Sequence, residues 1–269
     1  MKDVIVWELK QRRKTILWWT FVSVLMTAVI LALFPSIRDQ AAEMNKVINT
    51  LPPELRGLKT GGAAAIDVGN PAQFLNSQLF YITLPMIWII LAITRGAGLL
   101  GREEHDKTLE LLLARPIGRE RLLTGKIVAF VLEFTFVTFT TFLTLVLLCP
   151  LFDIDVSTSR LFMATLYTDL FCFSYGYLTL MMHALSAMTK RAATALAVTL
   201  AFGGYIIASL SSLTDWLEYP AKAVPYHYFD MLKVLEGHAA PRGLLIYLAA
   251  AFIVGTILAY LGFRRRDIE

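Results

Sequence analysis

Few residues in this 269-residue chain have the type and spacing for chemistry. Gly96-Ala97-Gly98-Leu99-Leu100-Gly101 matches the dinucleotide pattern G-x-G-x-x-G. That pattern holds a pyrophosphate only when a short strand precedes it and a helix opens at it. Here it closes an apolar run of about 20 residues, the length of a membrane span, so close helix packing over small residues is the better reading. Gly125-Lys126 resembles the end of a phosphate loop, but Ile127 stands where Ser or Thr must bind magnesium, and Gly118 is misplaced for the loop. Glu133, Asp169 and His183 lie inside apolar runs. An ionisable group at such a place marks a candidate functional site, the alternative being a side chain that faces a helix neighbour or water near its membrane surface. There is no H-E-x-x-H, no paired His/Cys cluster and no G-x-S-x-G, so hydrolase chemistry has no support. Cys149 and Cys172 lie at or within apolar runs and imply neither a disulfide framework nor a metal site.

The elements that carry these residues are membrane helices. Hydrophobic residues make up 57% of the chain and charged residues 17%, where a soluble domain carries about 25% charged. Six candidate spans follow, near 16–34, 79–100, 126–149, 161–187, 193–213 and 244–263. The fold class is an all-α integral membrane protein with one transmembrane domain over 1–269. The basic residues collect at span ends, which argues against a nucleic-acid surface despite a pI near 9.0.

Lysine and arginine set the orientation. The N-terminal segment holds Lys2, Lys10, Arg12, Arg13 and Lys14; the 102–126 loop holds six more; Lys190, Arg191 and Arg264 to Arg266 complete sixteen on one side. The opposite loops hold eight, and Arg95 lies within a span. Both termini and the 102–126 loop are therefore expected in the cytoplasm. The N-terminal run is too long for a signal core and is read as a retained first span. Val4, Ile5, Trp7 and Leu9 before it suggest an interfacial helix, with a solvated leader as the alternative. Ile37, Ala41, Met44, Val47, Ile48 and Leu51 predict a helix in the first external segment, 35–78. The last external segment, 214–243, carries Trp216, Tyr219, Tyr226, Tyr228 and Phe229. It is either an interfacial aromatic loop or a pair of helical fragments dipping back into the bilayer.

Residues 102–126, REEHDKTLELLLARPIGRERLLTGK, organise the rest. Leu109, Leu112 and Leu113 fall on one helical face, and Pro116 ends that helix at Arg115. An amphipathic helix held between two spans has the form of a contact for a soluble partner.

The run Glu103-Glu104, Thr108-Leu109-Glu110, Leu111 to Leu113, Arg115-Pro116-Ile117, Arg119, Leu123 and Gly125-Lys126 resembles the permease subunit of ABC-2 type transporters. Its place between spans two and three is that family's place. Lys107 stands where the family often has glycine. The resemblance covers the whole chain in layout and about 25 residues in sequence. It implies an exporter half: two permease subunits, forming a homodimer or heterodimer, with two separate ATPase subunits docked beneath in a bacterial or archaeal cell membrane. Glu103, Glu104, Thr108, Leu109, Glu110, Leu112, Leu113 and Arg115 would form the coupling helix that contacts the ATPase. ATP and Mg would bind the partner, and this chain would hold no cofactor and catalyse nothing alone. A membrane component of an ATPase-linked sensing or assembly complex, and an ion-coupled transporter using Glu133, Asp169 and His183, are the competing readings. The ion-coupled reading lacks visible inverted repeats.

Overall fold

The computed structural model describes residues 2–50, 67–105, 118–185, 189–211 and 215–265. Every regular element among them is helical. Six helices have 21 residues or more: α1 (Lys2–Asp39), α4 (Leu84–His105), α5 (Arg119–Leu148), α6 (Thr158–Ala184), α7 (Lys190–Leu210) and α10 (Arg242–Arg265). Between them lie the short helices α2 (Ala41–Thr50), α3 (Pro71–Phe74), α8 (Asp215–Ala223) and α9 (Met231–Leu235). Five of the long helices are long and apolar enough to cross a membrane. The exception is α6, 27 residues long.

The reason lies in where α6 sits. It packs against α4, α5, α7 and α10, so it faces protein on most sides and little of it needs to suit lipid. Its Thr165, Thr168, Ser174 and Thr179 are buried. Each hydroxyl donates to a carbonyl one turn back, Thr168 to Ala164 at 2.7 Å and Thr179 to Tyr175 at 2.7 Å, for example. Those bonds satisfy the hydroxyls within the helix, and Ser174 also meets the Tyr247 hydroxyl of α10 at 2.9 Å. The peripheral helices invert the soluble pattern. On α1, Leu17, Trp18, Phe21, Val29 and Leu33 are exposed while Ser23 and Thr27 are buried, as expected where lipid surrounds the bundle and small residues let helices approach.

The glycine motif has a definite place in this packing. A Cβ at Gly96 on α4 would overlap the Gly176 carbonyl on α6, and one at Gly176 would overlap the Ala92 carbonyl. The two backbones touch. Gly98 faces α1, where a Cβ would lie 3.0 Å from the Arg12 guanidinium.

The N-terminal segment differs from a separate interfacial helix. It is continuous with the first span: α1 runs unbroken for 38 residues, about 57 Å at 1.5 Å per residue, against a hydrocarbon core of about 30 Å. Pro35 sits within its last turns. Upstream of α4 the chain is wound as a π-helix over Leu75–Thr83, where the Thr83 hydroxyl donates to the Gln78 carbonyl at 2.6 Å. Pro85 follows two residues later and has no N–H for the ladder, a frequent cause of such irregular winding.

The long helices run alternately between two ends of the bundle. At one end lie the start of α1, the last turns of α4, the first turns of α5 and the end of α10; the hydroxyls of Thr124 and Tyr260 are 2.5 Å apart there. At the other end Arg38 pairs with Asp153 at 3.5 Å. The last inter-span segment is helical and partly inserted. Trp216 and Tyr219 on α8 are exposed, whereas Tyr226 and Phe229 are buried. Phe229 stacks on Phe171 at 4.3 Å between centroids, and Tyr226 meets Phe171, Tyr81 and Tyr205 edge-on.

Candidate functional site

The strongest concentration of buried charge lies at the feet of the 102–126 segment. Arg95 is on α4, ten residues before that helix ends at His105; Lys126 is in the second full turn of α5. Both are 1% exposed. Arg95 Nε donates to Glu133 Oε2 at 2.6 Å and Arg95 Nη2 to Glu8 Oε2 at 3.0 Å. Lys126 Nζ lies 3.2 Å from Glu8 Oε1 and donates to the Leu99 carbonyl at 2.7 Å. Glu8 and Glu133 are as buried as their partners.

Two positive and two negative side chains therefore meet across α1, α4 and α5. The pairing matters, because desolvating an unpaired charge costs several kcal/mol and a good ion pair only offsets that cost. Arginine suits the centre: its planar fork reaches two carboxylates at once. Arg12, one turn after Glu8, adds positive charge acting on Glu133. The neighbouring helices allow the approach because Gly98 has no side chain against Arg12. The arrangement does no covalent chemistry. It fixes the beginning of α1 to both helices that flank the charged segment.

Of the residues singled out in the sequence, Glu133 belongs to this set. His183 is buried near the end of α6, close to the same end of the bundle but outside the four-residue set. Asp169 stands apart, near the middle of α6, beside a groove lined by α5, α6 and α10. Glu103 and Glu104 fall in the final turns of α4. Thr108, Leu109, Glu110, Leu112, Leu113 and Arg115 lie outside the described residues. Among the described residues no group of three or more His, Cys, Asp or Glu is placed to hold a metal.

The family model described as ABC-2 family transporter protein matches residues 4–268. The chain belongs to that family. The match takes in both the buried ion set and the charged segment above it, so an ABC-2 transporter membrane protein is the frame in which both are read. No curated protein matches the chain.

Sequence reasoning missed Glu8 and Arg95 as partners. In the sequence Glu8 stands among the Lys2 and Lys10 charges of the N-terminal segment, and Arg95 lies within a span with no partner specified by local spacing. The available signal was their company. A buried arginine in a span requires carboxylates, and Glu133 was the intramembrane candidate nearest the same face.

Proposed function

We propose that this ABC-2 family protein is the permease subunit of an ATP-driven exporter, with six spans and both termini in the cytoplasm. Five helices meet the length and apolarity of a span, and α6, enclosed by the others, serves as the remaining one. Residues 102–115 form the coupling helix. A separate ATPase subunit, carrying ATP and Mg, docks there, and a second permease subunit completes the path.

The observation that carries the reading is the ion set. It joins the helix before the charged segment, the helix after it and the start of the chain. A push on the 102–115 helix is then delivered to α1, α4 and α5 together and passed to α6 through the Gly96–Gly176 contact. A loop that served only to set topology would need neither the buried pairs nor the T-L-E-L-L-L face.

The test is co-purification with the ATPase subunit and ATP-dependent transport in vesicles, comparing wild type with Glu110→Lys and Leu112→Asp. Truncating a buried interface anchor costs about 2 kcal/mol or more, roughly thirtyfold in affinity. Both variants are expected to lose the ATPase while remaining folded in the membrane. Full co-purification and transport by both would overturn the reading.

A further inference from the structure

The groove beside Asp169 is a separate feature. It encloses about 430 Å³, within the roughly 300–1,000 Å³ of small-molecule sites. It lies near the mid-length of α5, α6 and α10, on a different part of the bundle from the ion set. Six phenylalanines line it: Phe134, Phe139 and Phe142 from α5, Phe162 and Phe173 from α6, and Phe252 from α10. Their rings already contact one another, Phe142 on Phe162 at 5.5 Å and Phe173 on Phe252 at 5.8 Å. Phe139 and Phe162 are 51% and 43% exposed, so the groove opens outward between them.

Among the described residues, Asp169 is the only charged one in its lining. Its Oδ1 is shut off from solvent and accepts no hydrogen bond. Thr138 is the neighbour that bonds the carboxylate, yet its hydroxyl also faces the carbonyls of Phe134 and Thr135 at 3.2 Å each. One threonine proton cannot satisfy both oxygens of a carboxylate. No lysine, arginine or histidine among the described residues lines the groove. A carboxylate left bare at this depth is costly. Aromatic rings around it offer their negative faces to a cation, the arrangement that recognises organic ammonium groups.

We propose that this groove binds a lipophilic organic cation, with Asp169 as counter-ion and the phenylalanines enclosing its apolar body. An acyl chain would fill the same apolar walls but leave Asp169 without a partner. A second copy of the chain would have to bring a cation of its own. Charge complementarity therefore selects the small cation. The proposal concerns what the chain binds and stands whether or not an ATPase drives it.

The test uses the full chain in neutral phosphatidylcholine nanodiscs, with empty nanodiscs subtracted. The probes are tetraphenylphosphonium and tetraphenylborate, which share a shape and differ in the sign of charge. Titration calorimetry is expected to show saturable binding of the phosphonium and none of the borate. Asp169→Asn should weaken the phosphonium by about ten- to a hundredfold, the range of one charge-assisted contact, and Asp169→Glu should retain most of it. Phe142→Ala should weaken it while leaving the preference for the cation. The comparison of the two ions in the wild-type chain stands even if a variant fails to fold. Equal binding of both ions, no saturable binding (as when an acyl chain or a second copy fills the groove), or full affinity in a folded Asp169→Asn protein would overturn the proposal.

Discussion

Gly176 of α6 occupies the place where Gly96 of α4 would carry a side chain, and Ala92, one turn before Gly96, occupies the place where Gly176 would carry one. The contact makes α4 and α6 the most extensively packed pair in the bundle. It also places Ala92 and Phe130 against Gly176, so α5 closes over the crossing. Gly96→Val or Gly176→Val forces rigid backbone apart, since at each position the first atom met is a carbonyl of the facing helix. Overpacking of this kind costs about 1–3 kcal/mol, occasionally more. The melting temperature of the purified chain in detergent should fall markedly for either variant. Gly203→Ala is the control, because a Cβ there meets nothing within 4 Å; within a helix it should hold or raise the melting temperature and not lower it.

The ion set makes a sharper prediction, in the form of a cycle. Removing one member of a buried pair strands the other, which costs about 3–5 kcal/mol, whereas removing both members together is often neutral. Arg95→Met alone removes the guanidinium hydrogen-bonded to Glu133, leaving it the more distant charge of Arg12, and deprives Glu8 of one of its two cations. Arg95→Met with Glu133→Leu leaves Glu8 with Lys126, 3.2 Å away. The double variant is expected to melt above either single variant, with a coupling energy at the upper end of the 0.5–3 kcal/mol seen for contacting residues. Additive losses would mean that Arg95 and Glu133 are not energetically joined. The cycle also separates stability from coupling. If the set transmits motion, the restored double variant should keep its ATPase partner and still transport more slowly than wild type.

Much of this was legible in the sequence, for reasons that can be traced. The spans are legible because a 20-residue apolar run has few alternatives, and Gly96-x-Gly98 as a packing motif because its place within a span excludes a phosphate loop. Glu8 was hidden by its neighbours: Lys2, Lys10 and Arg12 make the segment read as a solvated face. Pairings such as Glu8 with Arg95, 87 residues apart, depend on which helix faces meet, and no local periodicity encodes that. The partial burial of the 214–243 segment was hidden in the same way. Tyr226 and Trp216 suit an interface equally by composition, yet one is 4% and the other 71% exposed.

That difference leads to a prediction about the end of the bundle near α8 and α9. Phe229 is stacked on Phe171, and the Tyr81 hydroxyl meets the Ser209 hydroxyl at 2.8 Å. The first contact holds the segment against α6; the second joins the π-helix to α7 and so steadies Tyr81 and Tyr205, on which the Tyr226 ring rests edge-on. Phe229→Ala removes a buried aromatic ring, a loss of about 3–5 kcal/mol in a packed core; Tyr81→Phe removes one hydrogen bond, about 1 kcal/mol. Amide exchange over 215–240 should quicken strongly in the first variant and slightly in the second, while exchange in α1 and α5 stays at the wild-type rate. Uniform quickening along the whole chain would show that the segment does not open by itself.

Topology is the prediction on which the functional reading depends most directly. Glu8 is bonded to Arg95 and near Lys126, so the start of α1 lies at the same end of the bundle as the feet of the charged segment. The Thr124–Tyr260 contact brings the end of α10 there too. By sequence segment, sixteen basic residues are assigned to that side and eight to the other, and the side richer in lysine and arginine is expected in the cytoplasm. An ATPase can dock on residues 102–115 only if that assignment is right. Thr60→Cys and Lys107→Cys, each in a chain with Cys149 and Cys172 replaced by alanine, provide the measurement. In intact cells a membrane-impermeant maleimide should label position 60 and leave position 107 untouched until the membrane is opened. Labelling of position 107 from outside would place the charged segment away from any cytoplasmic ATPase. The ion set would then be a structural clasp alone, with no coupling movement to transmit.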